Sequence, residues 1–345
     1  MDPKLIKKNY SKLGWLYVAG TLLTNGILYG VIFAVKKFFP SVTENTDLYT
    51  IVQMIPRFFI CYPIFAAIIF LMPKMQIPQK KMGGGKVAAA FCMTYSAALI
   101  CNVVALGLIV IFSILKKLLF KGAVFQGMGS GLEVADLLTG LNPVFSLIFI
   151  VILAPVAEEL LFRKFLIDRI YGYGEAMAIL LSGLMFGLYH GNLQQFIYAT
   201  TIGSCFAYIY TRTGRIRYTI ILHMLINSMG SLVLGGAIRL AGLQEYMQIA
   251  MRAVQSGNFG EILGYVEDNI EGFAILGILE FVIGCLILTG IILWIVYLAK
   301  KKFHLVHYIG EVPKGKRFST AVLNPGILVF IIIYAGLIIF RLITG

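Results

Sequence analysis

Charge is what this sequence has least of. Its 16 acidic and 29 basic residues make up 13% of 345 positions, where a soluble domain carries about 25%. With 59% hydrophobic residues and a mean hydropathy of +0.88, the chain has too little polar material to coat a water-soluble globule. Ten-residue alternating stretches are missing, which argues against a membrane β-barrel. Cys61, Cys92, Cys101, Cys205 and Cys285 form no CxxC pair and read as small hydrophobes within helices. No HExxH occurs. Gly83-Gly84-Gly85-Lys86 lacks the second spacing glycine and the following Ser or Thr of a phosphate loop, so it reads as a flexible inside loop. Internal repeats and low-complexity segments are absent too.

What is present is a series of continuous apolar runs about 20 residues long, the length a helix needs to cross a bilayer. Nine can be drawn, at about 14–35, 51–72, 87–115, 144–167, 175–192, 194–211, 218–238, 272–298 and 326–342. The expected fold is an all-α, polytopic transmembrane helical bundle of about nine spans. Three regions are expected: 1–143 with spans one to three and an outer loop, a four-span core at 144–238, and 239–345 with an outer amphipathic loop and the last two spans. The first run is too long for a signal-peptide core and lacks a small-x-small cleavage site, so it reads as a retained span.

The net charge of +13 does not point to nucleic acid, because the bases cluster at the ends of apolar runs. Lys74, Lys80, Lys81 and Lys86, then Arg212, Arg215 and Arg217, then Lys300, Lys301 and Lys302 mark inside loops. The acid-rich stretch 239–271 is then outside, the N-terminus cytoplasmic and the C-terminus outside. Lys36, Lys37, Lys116 and Lys117 fall on the wrong side of this scheme. The loops 118–143 and 239–271 are long enough for amphipathic surface helices, and Leu243, Met247, Ala250, Met251 and Val254 recur at helical spacing.

Against this background Glu158-Glu159-x-x-x-Arg163 is costly: a charge at a helix centre in hydrocarbon costs roughly 2.5 to 3.5 kcal/mol on insertion scales. Glu159 and Arg163 stand at i and i+4 and can pair on one face. Glu158 points about 100° away and is left without that partner. Pro155 has no N–H for the carbonyl of Val151, so a kink opening room for water is expected just before the acids. Later apolar runs carry Phe186-x-x-x-His190 and, on one helical face, His223-x-x-x-Asn227. Gly183, Gly187 and Gly191 form a strip that lets another backbone come close.

Taken singly, each feature has an ordinary structural explanation. A Glu–Arg pair locks a helix, and a buried His or Asn bonds one helix to the next. Arg57 and Glu280, in the second and eighth runs, are expected to be structural or a mutual pair. Together the polar residues suggest a hydrolytic site. Glu158 and His190 would activate water, and His223 and Asn227 would hydrogen-bond the oxyanion. With upright helices, Glu158 and Asn227 lie about 13 Å from the inner boundary, His223 about 8 Å and His190 about 22 Å, which leaves His190 too far away.

The ordered set Glu-Glu-x-x-x-Arg, Phe-x-x-x-His, His-x-x-x-Asn is similar to the motifs of the CAAX protease and bacteriocin-processing family of intramembrane proteases. The resemblance covers about 144–238. It implies a membrane endopeptidase acting on a membrane-associated peptide or protein, and the Lys- and Ile-rich composition with short loops suggests a bacterial plasma membrane. Glu158, His190, His223 and Asn227 would be catalytic, with Glu159, Arg163 and Phe186 in support. Family members have been described both as metalloproteases and as metal-free glutamate proteases. The expectation is no cofactor; the zinc alternative would use Glu158, His190 and His223. Rival readings are a non-catalytic immunity or scaffold protein, and a transporter using the buried charges as a pathway.

Overall fold

The structure, a computed structural model, describes residues 2–119, 141–256, 258–307 and 311–344. Among these residues the regular structure is helical and contains no β-strand. In chain order the main helices are α1 (Pro3–Phe38), α2 (Thr46–Ile69), α3 (Gly84–Leu119), α4 (Pro143–Tyr173), α5 (Glu175–Tyr189), α6 (Leu193–Thr213), α7 (Ile216–Leu240), α8 (Leu243–Ser256), α9 (Gly260–Asp268), α10 (Ile270–Ala299) and α11 (Pro325–Thr344).

Seven of these, α1 to α4, α7, α10 and α11, are long and apolar enough to cross a membrane. The protein is an integral membrane helical bundle. The sequence suggests nine spans, and the difference lies in α5 and α6. Helix α5 has 15 residues, so it is about 22 Å long against a hydrocarbon core of about 30 Å. Helix α6 carries Gln194, Gln195, Thr200, Thr201, Ser204 and Arg212, which lower its hydropathy. These two helices pack on each other, so their polar and small residues face protein. The amphipathic 118–143 loop lies mostly outside the described residues. Helix α8 forms where amphipathic spacing predicts a helix, but Met247 and Met251 face outward while Ile249 and Ala253 are buried.

The largest core is built around the second half of α4. Leu161, Phe162, Leu166, Ile167 and Ile170 pack among Tyr10, Leu13 and Tyr17 of α1, Phe65 and Ile69 of α2, and Phe330 and Tyr334 of α11. The Tyr17 hydroxyl donates to the Leu161 carbonyl at 2.5 Å, and the Ser182 hydroxyl of α5 donates to the Phe162 carbonyl at 2.7 Å. Polar side chains of two neighbours thereby fasten α4 in place.

The first and last helices close this core. A Cβ on Gly14 would sit 2.3 Å from the Gly326 carbonyl carbon, and one on Gly326 would sit 1.9 Å from the Ser11 oxygen. Only glycine permits that approach, and the Gly326 N–H donates to the Ser11 hydroxyl across it. Gly326→Leu should therefore destabilise the bundle by about 1–3 kcal/mol, as overpacking does. Gly336→Leu on the same helix meets open space and should leave thermal unfolding in detergent unchanged. Equal melting temperatures for the two variants would refute this helix contact.

Candidate active site

The acids of α4 sit between two register breaks. Residues Ser146–Leu153 form a π-helical stretch, Ala154–Glu159 a short α-helical one, and Leu160–Phe165 a second π stretch. Pro155 explains the first break. The Ala154 N–H bonds to the Phe149 carbonyl, five residues back. In that wide register the next donor, to Ile150, would be residue 155, and proline has no N–H. The Ile150 carbonyl is instead bonded from outside: the Asn227 Nδ2 of α7 donates to it at 2.9 Å. The proline is taken up as a π turn capped by Asn227.

The two carboxylates that follow have different surroundings. Glu159 is 0% exposed, whereas the Glu158 side chain keeps 15% of its surface. One Glu159 oxygen faces Arg163 Nε at 3.1 Å. The other accepts from His223 Nδ1 at 2.9 Å. With its Nδ1 proton on Glu159, the His223 ring turns Nε2 toward Glu158, 3.8 Å from Oε2. His223 thus lies between both acids.

Arg163 is fully buried, and its nitrogens have no aligned hydrogen bond. Its contact with Glu159 is an ion pair. The guanidinium lies over Phe186, 4.2 Å from the ring centroid, with Phe206 at 5.7 Å. A desolvated contact of this kind is worth about 2 kcal/mol. Phe186 also meets His190 edge-on at 4.9 Å and His223 at 5.8 Å. One phenyl ring therefore spaces the arginine and both imidazoles.

His190 belongs to the same assembly. Its Nδ1 bonds to the Phe186 carbonyl at 2.8 Å, which leaves Nε2 with a lone pair. Its ring lies within electrostatic reach of Glu158, His223 and Arg163. The depth estimate from the sequence set His190 apart because it took α5 as upright and starting at the boundary; packing through Phe186 shows that this does not hold. Helix α5 is held by its glycines. A Cβ on Gly183 would lie 2.1 Å from Ser204 Oγ, and one on Gly187 would lie 2.0 Å from Thr200 Oγ1. Gly191 is not part of this strip. It ends the helix in the left-handed region, at φ +67°, against Leu337.

Arg57 and Glu280 do not meet. Glu280 is exposed on α10. The Arg57 Nε is buried without a hydrogen-bond partner. Its charge acts on Tyr62 and Tyr189, as does that of Glu158. Arg57 therefore shares the Tyr62 and Tyr189 neighbourhood with Glu158, a placement not expected from the sequence. The signal was available: Pro56 precedes Arg57 as Pro155 precedes the acids, and a π turn, Arg57–Cys61, follows it.

A cavity of about 540 Å³ lies farther along α4. Lys164, Asp168 and Tyr210 line it together with the extended segment at Lys74–Gln79. It contains neither Glu158 nor His223. Among the described residues no three of His, Cys, Asp or Glu form a group that could hold a metal ion.

The profile described as type II CAAX prenyl endopeptidase Rce1-like matches residues 140–229. A Bacillus subtilis (strain 168) protein named "Putative membrane peptidase YdiL" is 35% identical over 78 residues, which is 22% of this chain and 32% of that protein. The chain thus spans about a third of the length of the curated relative it matches. No solved structure matches significantly.

The Asn227–Ile150 bond makes a definite prediction. Asn227→Leu leaves a part-buried carbonyl unpaired and should cost about 1 kcal/mol in chemical unfolding. Pro155→Ala restores a backbone donor, so Asn227→Leu should cost much less in that background. An equal cost in both backgrounds would show that Asn227 does not serve this carbonyl.

Proposed function

We propose that the protein is an intramembrane endopeptidase, a reading supported by the match of residues 140–229 to the type II CAAX prenyl endopeptidase Rce1-like profile. It would hydrolyse a peptide bond in a membrane-associated protein or peptide by a metal-free glutamate route. The observation that carries this reading is the partly exposed Glu158 carboxylate 3.8 Å from the Nε2 of an imidazole whose other nitrogen is tied to Glu159.

In this mechanism Glu158 takes a proton from a water that also donates to His190 Nε2. The water oxygen attacks the peptide carbonyl carbon. The oxyanion accepts hydrogen bonds from His223 Nε2–H, in the imidazolium form, and from the Asn227 amide hydrogen not used by Ile150. As the C–N bond breaks, Glu158 passes the proton to the leaving amine. Glu159 orients His223 and offsets its charge. Arg163 faces the other Glu159 oxygen within the bundle and is itself held by Phe186. Apolar surroundings strengthen each of these interactions by lowering the local dielectric.

Purified protein assayed on a fluorogenic membrane peptide tests this reading. Glu158→Gln should lower turnover by about 10²–10⁴, the scale of general-base catalysis, with the melting temperature unchanged. Full activity in that variant would refute Glu158 as the base, and a wild-type protein without turnover would favour a non-catalytic scaffold. Turnover should also survive prolonged chelation. Loss of turnover that is restored by added zinc would overturn the metal-free route.

A further inference from the structure

We infer that the cavity of about 540 Å³ beside Lys164 and Asp168 receives the cytoplasmic flank of the substrate, as an extended peptide carrying an acidic side chain. This rests on the peptidase reading above. One wall of the cavity belongs to residues 73–83, which join α2 to α3 without helix or strand. The bundle pins this segment at intervals. The Met75 N–H donates to the Asp168 carbonyl, the Lys80 N–H to the Thr213 carbonyl and the Met82 N–H to the Tyr218 hydroxyl. Gly214, at φ +58°, lets the segment pass, because a Cβ there would lie 2.8 Å from the Pro78 oxygen. Between the pins the N–H groups of Gln76, Ile77 and Gln79 bond to no group among the described residues, and no carbonyl of residues 74–79 accepts a bond from one.

A fixed, extended edge with free donors and free acceptors is matched by another extended backbone, which offers both. A phosphate or a lipid headgroup supplies acceptors alone. Pro78 does not interrupt such pairing, since in an extended chain Ile77 and Gln79 face one side and Pro78 the other. Charge sets the side chain. Asp168 is already matched: Lys164 Nζ lies 3.0 Å from one oxygen, and the other accepts from the Tyr210 hydroxyl at 2.7 Å. Lys74 lines the same cavity and has no carboxylate partner among the described residues. One cation is therefore in excess, and a ligand carboxylate completes it. Place agrees with this. Lys164 follows Glu158 on α4 by roughly 9 Å, so a peptide held at Glu158 reaches the cavity within a few extended residues. Residues 73–83 and Gly214 belong to the loops whose basic residues mark the inside.

Three synthetic transmembrane peptides test the inference on the full chain in phosphatidylcholine liposomes. They are identical except for the cytoplasmic flank, which carries glutamates, glutamines, or glutamates on an N-methylated backbone. Binding is read by fluorescence titration of the Glu158→Gln protein, where cleavage does not interfere, and cleavage is read separately with the wild type. The glutamate flank should bind about threefold to fivefold more tightly than the glutamine flank, the scale of a partly exposed ion pair. Adding Lys74→Glu should abolish that preference. N-methylation, which removes backbone donors, should weaken binding although the glutamates remain. Equal binding of the glutamate and glutamine flanks, or indifference to N-methylation, overturns the inference. If Lys74→Glu instead lowers only the retention of added phosphatidylglycerol, the cavity is a lipid headgroup site and the inference is also overturned. Cleavage by the wild type without flank preference leaves the peptidase reading standing and removes this site; flank-selective binding without cleavage does the reverse.

Discussion

A carboxylate sealed inside a membrane bundle must be matched on every side, and Glu159 is the group on which this structure turns. Arg163 faces one of its oxygens and His223 binds the other. That single residue joins α4 to α7 and sets the direction of the His223 ring. Arg163 in turn needs a surface of its own, because its nitrogens have no aligned hydrogen bond. Phe186 supplies it and so ties α5 to the same cluster. The close approach of α5 and α6 at Gly183 and Gly187 holds Phe186 where the arginine and both imidazoles can touch it.

The backbone of α4 is as much a part of this arrangement as its side chains. π turns concentrate at functional positions because they alter which face each residue presents and leave carbonyls free to bond elsewhere. Here the Ile150, Leu161 and Phe162 carbonyls accept from Asn227, Tyr17 and Ser182. These donors come from α7, α1 and α5, so three helices read the register of α4. Asn227 joins helix position to site geometry: its amide fixes α4 just before the acids, beside the histidine that bridges them.

Several features were legible in the sequence for simple reasons. Scarce charge and continuous apolar runs require a membrane bundle, since such a chain cannot cover itself with polar surface. Helical spacing alone separates Glu158 from Glu159 and Arg163, because neighbours on a helix diverge by about 100° while i and i+4 align. The count of spans was less legible. Helices α5 and α6 are short or polar-rich because they bury their small and polar residues against each other, and hydropathy cannot distinguish a protein-facing helix from a lipid-facing one.

The sequence by itself determined the membrane class, the helical architecture and the identity of the polar cluster, because these follow from composition and from spacing along one chain. Tertiary structure decided which groups touch. It placed His223 between the two acids, engaged Asn227 with the carbonyl stranded by Pro155, brought His190 in through Phe186, and separated Arg57 from Glu280. These contacts depend on helix depth, rotation and register. Such quantities are set by side-chain packing between segments far apart in sequence, and no period within a single segment encodes them.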